Sequence, residues 1–300
     1  MEKNREALKK PLWLRKKVEY SEKRHSVKNI LHDLDLNTVC SHARCPNLSE
    51  CYSSKRATFM ILGNKCTRNC TFCAVECLKP GQNLSLDEDE PERICKAVKL
   101  LGLRYVVITS VTRDDIPDGG AMQFARTVLA IKKYDDTIKI EVLTPDFLGR
   151  RRSIDTVANC VPDVYNHNIE TVPRLYKQVR PQADYQRSIQ LLKYLKANYP
   201  ALMLKSGFMV GLGESKQEVI KLLHELKTAG CDAVTIGQYL RPSRANFPVQ
   251  EYVHPDIFRY YENEAKRIGF LYVASGPYVR SSYMAHEGYE RLKDWVDRVS

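Results

Sequence analysis

Six of the ten cysteines in this chain fall in two short runs. The stretch "CSHARCPNLSEC" places Cys40, Cys45 and Cys51 within twelve residues, and "CTRNCTFC" places Cys66, Cys70 and Cys73 within eight, starting fifteen residues after Cys51. Thiolates hold iron–sulfur clusters and zinc alike, so thiol content alone does not choose between them. Each run is one thiolate short of the four that fill a tetrahedral site. A structural zinc site usually offers two close pairs set far apart, whereas Cys66, Cys70 and Cys73 crowd into one loop. A cubane [4Fe–4S] cluster on three such thiolates keeps one iron open, where a small molecule can chelate through a nitrogen and an oxygen. Cys77 is an alternative fourth thiolate that would close the site. Together with Cys95, Cys160 and Cys231, it otherwise reads as a scattered, small, buried apolar residue.

The chain opens "MEKNREALKKPLWLRKK", charged from its second residue and without the apolar core of a secretory signal. No run approaches the ~18 apolar residues of a spanning helix. The expectation is a soluble cytoplasmic protein without membrane partners. In reducing cytosol, close cysteines serve metals or redox chemistry more often than disulfides. At 43% hydrophobic, 300 residues can bury one large core with attachments. The net charge is +11, and residues 1–56 hold 13 Lys and Arg against 7 Asp and Glu. Such a basic segment attracts nucleic acid, a membrane surface or an acidic protein, or is simply solvated.

The elements that must position these cysteines repeat along the chain. Short β-branched runs at 57–63, 104–111, 139–145, 163–170, 202–211 and 232–240 alternate with amphipathic stretches. Among the latter, 91–102, 120–134, 153–160, 215–230 and 255–269 have clear bounds, and helical segments also run up to Asn198. Val219, Leu222, Leu223 and Leu226 recur at helical spacing, and Gly102, Gly230 and Gly269 stand where helices would end. Six strand–helix units with apolar strands imply an α/β architecture, either an open doubly wound sheet or a barrel. Thr109, Glu141, Asn168, Glu170, Gly211 and Gln238 are polar or small residues at or near strand ends, which favours the barrel, because active sites gather at that end. The fold expectation is a partial (β/α)6 TIM-type barrel over 57–271. An amino-terminal extension, 1–56, carries the first triplet, and a carboxyl-terminal tail, 272–300, completes the chain.

The loop Cys66-x3-Cys70-x2-Cys73, with Phe72 before the last cysteine and placed after the first strand, resembles the signature of the radical S-adenosylmethionine (SAM) superfamily. "GFMVGLGE" is similar to that superfamily's fifth-strand pattern at Gly207, Met209, Gly211 and Glu214, and "NHNIE" brings Asn168 and Glu170 to its fourth-strand position. Within the superfamily the first triplet, with "ARCPNLSEC", "VTRDDIPDGGA" and "GPYVRSSYMA", resembles the lipoyl synthases over nearly the whole chain. Departures are small: Ser41 and His42 stand where acidic residues are common, and Asn64 where Asp is common.

That resemblance implies two [4Fe–4S] clusters. Cys66, Cys70 and Cys73 would hold the one that cleaves SAM to a 5′-deoxyadenosyl radical. Cys40, Cys45, Cys51 and Ser282 of the Arg280-Ser281-Ser282-Tyr283 motif would hold an auxiliary cluster that is sacrificed as sulfur donor. Thr109, Asn168, Glu170, Gly211 and Glu214 are the implied SAM contacts. The implied reaction inserts sulfur at C6, then C8, of an octanoyl group amide-linked to a lysine, consuming two SAM per lipoyl group. The implied partners are the octanoylated lipoyl domain of a 2-oxoacid dehydrogenase E2 subunit or the glycine cleavage H protein, and a ferredoxin or flavodoxin as electron donor. The enzyme is expected to be a monomer and to bind no nucleic acid. Two other readings remain open. A radical SAM methylthiotransferase acting on tRNA would need a separate cysteine domain and an RNA-binding β-domain. A zinc-binding nucleic-acid module would not need six strand–helix units, and the basic residues lack interleaved aromatics.

Overall fold

In the computed structural model we describe residues 8–16, 21–79, 81–82 and 84–299, and of 294–299 the backbone alone. Among the described residues a 3-10 turn (Leu12–Leu14) and three α-helices precede the sheet: α1 (Glu22–Asp33), α2 (Val39–His42) and α3 (Leu48–Ser53). They are packed rather than loose. Ser21 caps α1 by accepting from Arg24 N at 3.2 Å, and Val27 and Leu31 of α1 are buried.

Seven strands then form one parallel sheet: β1 (Thr58–Ile61), β2 (Tyr105–Ser110), β3 (Lys139–Leu143), β4 (Val164–Asn166), β5 (Met203–Val210), β6 (Ala233–Gln238) and β7 (Tyr272–Gly276). Each pairs with the next in sequence. A doubly wound sheet reverses direction partway, so this unbroken order is that of a barrel wall. Among the described residues β1 and β7 are not bonded to each other, and the barrel stays open. The six strand–helix units appear as expected. The seventh strand, read from the sequence as part of the tail, extends the sheet because Tyr272–Gly276 pairs with Ala233–Gly237.

The connecting helices are α4 (Glu90–Leu101), α5 (Ala121–Tyr134), α6 (Arg151–Ala158), α7 (Tyr176–Val179), α8 (Tyr185–Asn198), α9 (Lys216–Thr228) and α10 (Pro255–Ile268), and α11 (Ala285–Val299) follows β7. Ser215 and Glu218 close a capping box on α9, whose Val219, Leu222, Leu223 and Leu226 are buried, each stabilising by about 1.5–3 kcal/mol. Among the described residues, no helix is long and apolar enough to cross a membrane.

Two polar strand residues serve the wall rather than its rim. Glu141 lies in mid-β3, buried, and pairs with Lys205 of β5 at 2.9 and 3.0 Å. Gln238 spends its amide on backbone, donating to Tyr239 O and Glu251 O and accepting from Val253 N. An unpaired polar group at those depths would be costly, so both are consumed by the fold.

Candidate active site

The loop carrying the second triplet is closed at its base, where Lys65–Cys66 pairs in parallel with Glu76–Cys77. It is pinned to the loops that follow β2 and β6 by Thr67 N donating to Thr112 O at 2.9 Å and Asn246 Nδ2 donating to Cys73 O at 2.7 Å. Arg68 reaches inward. Its Nε and Nη2 form a fork on Asp114 at 2.7 and 3.0 Å, and Nη2 also reaches Asp146 Oδ1 at 2.6 Å. Backbone N–H groups already aim at the sulfurs: Arg68 N and Thr112 N at Cys66 Sγ, and Val75 N at Cys73 Sγ, at 3.3–3.4 Å. Such bonds to sulfur tune an iron–sulfur centre.

In the first triplet, Cys40 lies in α2, Cys51 in α3, and Cys45 between them. The carboxyl-terminal segment 276–285 lies back across it as a strap. Asn47 Nδ2 donates to Tyr278 O at 2.7 Å, Thr58 Oγ1 to Ser282 Oγ at 2.8 Å, and Tyr283 OH to Glu50 Oε1 at 2.9 Å. Gly237 of β6 makes room for the strap, since a Cβ there would lie 2.2 Å from the Val279 carbonyl oxygen.

Both triplets face one cavity of about 850 Å³, lined also by Thr109, Asn168, Glu170 and Ser282. All ten cysteines are free thiols. Burial pushes the thiol of Cys40 up to about 11 and those of Cys51 and Cys73 up to about 12, and it raises Cys70 as well. Neighbouring thiolates add to the rise, so these groups are protonated at neutral pH, and a cationic metal core must displace their protons. Among the described residues no three His, Cys, Asp or Glu side chains converge as ligands of a single ion do. A cubane takes each thiolate on a different iron, so its ligands stand around a volume rather than a point. Three thiols per triplet fit that donor set.

The cavity also holds cations. Arg180 is buried beside Cys70 and Glu170, with Nη1 on Asn168 O at 3.1 Å and Tyr176 OH at 2.9 Å, and its Nε has no hydrogen-bond partner. A buried guanidinium in the cavity lining supplies positive charge that suits an anionic ligand. Burial raises the Glu170 carboxyl, which Arg180 partly offsets. Glu170 also sits in the left-handed region, at φ 67°, a conformation that other residues of the site must hold in place.

The remaining expected cofactor residues divide. Thr109 lines the cavity with its hydroxyl on Leu143 O at 3.0 Å, and Asn168 Nδ2 donates to Glu170 Oε1 at 3.0 Å. Gly211 and Glu214 do not reach the cavity lining. Glu214 instead accepts from Gly211 N and Leu212 N at 2.5 and 3.0 Å, and a Cβ on Gly211 would meet Gln238 Nε2 at 2.2 Å. Their work is to shape the turn after β5. Cys77, Cys95, Cys160 and Cys231 also lie off the lining, and Cys77 Sγ faces Leu78 O. Sequence reading missed Arg180, Thr58 and Asn166. The signal available for Arg180 was an arginine following the apolar turn of α7, which spacing alone does not distinguish from a surface residue.

A sequence model of the radical SAM superfamily matches residues 60–237. The chain is 53% identical over 281 residues to a lipoyl synthase of Caldanaerobacter subterraneus, covering 94% of this chain and 97% of that one. It is equally identical over 292 residues to a lipoyl synthase of Caldicellulosiruptor bescii, covering 97% and 98%. Among solved structures, methylornithine synthase (PylB) superposes with a TM-score of 0.54 at 16% identity, covering 84% of this chain and 75% of that one. Streptococcus suis SuiB bound to S-adenosylmethionine gives 0.57 at 15%, covering 85% and 60%. At such identities the structural likeness speaks for the fold.

Proposed function

The chain belongs to the lipoyl synthases of the radical SAM superfamily, and we propose that it inserts two sulfur atoms, at C6 and C8, into a protein-bound octanoyl-lysine with two clusters in one cavity. It is thus a sulfurtransferase whose family uses an iron–sulfur cluster and SAM. In the proposed arrangement Cys66, Cys70 and Cys73 hold the radical cluster, and Cys40, Cys45, Cys51 and Ser282 hold the auxiliary one. When bound, the first would supply the electron that cleaves SAM to methionine and a 5′-deoxyadenosyl radical, and the second would supply sulfide.

The observation that carries the reading is that both triplets and Ser282 line the same cavity, so a radical made at one site need travel little to a carbon beside the other. Thr109, Asn168 and Glu170 are proposed to orient SAM, with Arg180 facing its carboxylate. Gly211 and Glu214 act on it only through the turn they hold. The strap 276–285 closes the cavity and keeps water from the reacting carbon.

The proposed division of the chain follows, with the last boundary moved past β7: 1–56 brings the auxiliary cysteines, 57–276 the radical barrel, and 277–300 the closing tail. Lys55, Arg56, Arg44 and Arg241 line the cavity, which supports steering of an acidic lipoyl carrier, the E2 lipoyl domain or the glycine cleavage H protein, to its mouth. Arg150, Arg151 and Arg152 lie off that lining and are a weaker docking element. A ferredoxin or flavodoxin is the proposed reductant. One octanoyl chain per cavity makes a monomer sufficient, and the cytoplasm is the proposed location. Iron and sulfide analysis of anaerobically reconstituted protein tests the arrangement. About eight irons per chain, with comparable sulfide, are expected, and about four irons, undiminished by replacing Cys40, Cys45 and Cys51, would contradict it.

A further inference from the structure

The strap that carries Ser282 is tied into the barrel by the residue before it. Asn166, at the end of β4 and fully buried, donates through Nδ2 to Glu141 Oε1 at 2.7 Å and to Ser281 Oγ at 2.9 Å. Ser281 Oγ in turn donates to Asn168 Oδ1 at 2.8 Å, and Asn168 Nδ2 donates to Glu170 Oε1 at 3.0 Å. An amide nitrogen carries two N–H donors and a hydroxyl one, so the chain of bonds has a single consistent direction. Its origin is rigid. The Glu141 carboxylate is held by Lys205 Nζ at 2.9 and 3.0 Å and by Tyr105 OH at 2.9 Å. Turning the Asn166 amide over would set its oxygen against that carboxylate, so Glu141 fixes which atom faces Ser281.

One end of this chain is therefore a buried ion pair in the barrel wall, and the other is the Glu170 carboxylate in the cavity. Between them stands a hydroxyl from the strap. We propose that Ser281 is a positioning residue that couples the two halves of the site, seating the strap that presents Ser282 and, through Asn168, setting the orientation of Glu170. The inference rests on the reading that Ser282 closes the auxiliary site and that Asn168 and Glu170 meet SAM. Removing the hydroxyl leaves an Asn166 N–H and Asn168 Oδ1 without that partner, and Asn168 is then free to turn away from Glu170. A serine that only stitched down the tail would loosen the strap without touching SAM affinity.

The test compares Ser281→Ala and Ser281→Thr in the full-length reconstituted protein, following amide exchange of 276–285 against the amides of β5 and β6, together with the dissociation constant for SAM. For alanine we expect strap exchange to quicken and SAM affinity to weaken, each roughly tenfold, while threonine, which keeps the hydroxyl, restores both. Alanine that loosens the strap but binds SAM normally overturns the coupling. So does alanine that changes neither quantity, and so does threonine as defective as alanine. Should the alanine chain lose protection in β5 and β6 as well, the threonine chain decides: wild-type values sustain the proposal and a loss overturns it. Iron counting on the unmutated protein judges the two-cluster reading separately, and a count of about four would end that reading while leaving the strap and affinity measurements to stand.

Discussion

The Thr58 hydroxyl donates to Ser282 Oγ at 2.8 Å across 224 residues of chain. Thr58 opens the first strand, and its N–H and hydroxyl also lie against the Cys40 thiol. One small residue thereby brings the carboxyl-terminal serine to the first cysteine triplet.

That juxtaposition predicts the outcome of Ser282→Cys. An alkoxide is a poor partner for soft iron beside thiolates, and a thiolate binds it more firmly. The auxiliary cluster should persist, with iron content unchanged, while sulfur insertion falls at least about tenfold, equivalent to ~1.4 kcal/mol on the barrier. Cleavage of SAM to 5′-deoxyadenosine should continue. Lipoyl product at the normal rate would remove an easily lost fourth ligand from the account.

The two triplets should fail differently. Alanine at Cys66, Cys70 or Cys73 is expected to abolish 5′-deoxyadenosine formation. Alanine at Cys40, Cys45 or Cys51 should leave measurable cleavage and stop sulfur insertion. Equal loss of cleavage from both sets in folded protein would show that the labour is not divided.

Gly237 offers a test that alters no ligand. Its missing Cβ is what admits the Val279 carbonyl at 2.2 Å from the site that atom would occupy. That neighbour is backbone and cannot swing aside. Gly237→Ala should cost about 1–3 kcal/mol of strap docking, read as lower iron retention under chelator and slower sulfur insertion with SAM cleavage preserved. Wild-type iron retention would mean that the strap does not need this approach.

Much of the fold is written in the sequence as periodicity. The alternation of apolar runs with 3–4-spaced helices located all six strand–helix units, because strand and helix faces must each bury a stripe. The seventh strand was harder to read, since "YVASG" is short, comes three residues after α10, and is separated from α11 by the strap. Cysteine spacing exposed both triplets. Glu141 and Gln238 illustrate the limit: a polar residue in a strand looks alike whether it faces a ligand or a buried lysine. The link from Ser281 to Asn166 spans 115 residues, and no local pattern encodes it.

Asp146 predicts an acid response. Burial alone would raise its carboxyl, but the hydrogen bond from Arg68 and its charge outweigh that and hold it down to about 2, against an ordinary 3.8. A carboxyl depressed in the native state contributes stability above its unfolded pKa, and that contribution is lost as pH falls through the native value. The window is therefore about pH 4 down to about 2, and the contribution at neutral pH is about 2 kcal/mol. Asp146→Asn should lower unfolding stability at pH 7 by about that amount and flatten the loss across the window. An unchanged acid slope in denaturant titrations would show that the Arg68–Asp146 pair is not its source.

The central claim is that one cavity makes the radical and gives up the sulfur. It is tested most directly by reconstituting the protein with isotopically heavy sulfide, removing the excess, and running a single turnover on an octanoylated lipoyl carrier with SAM and reductant in ordinary buffer. Mass spectrometry of the carrier should show two heavy sulfur atoms on the modified lysine. A lipoyl group carrying light sulfur, or 5′-deoxyadenosine formed with no gain in carrier mass, would contradict it.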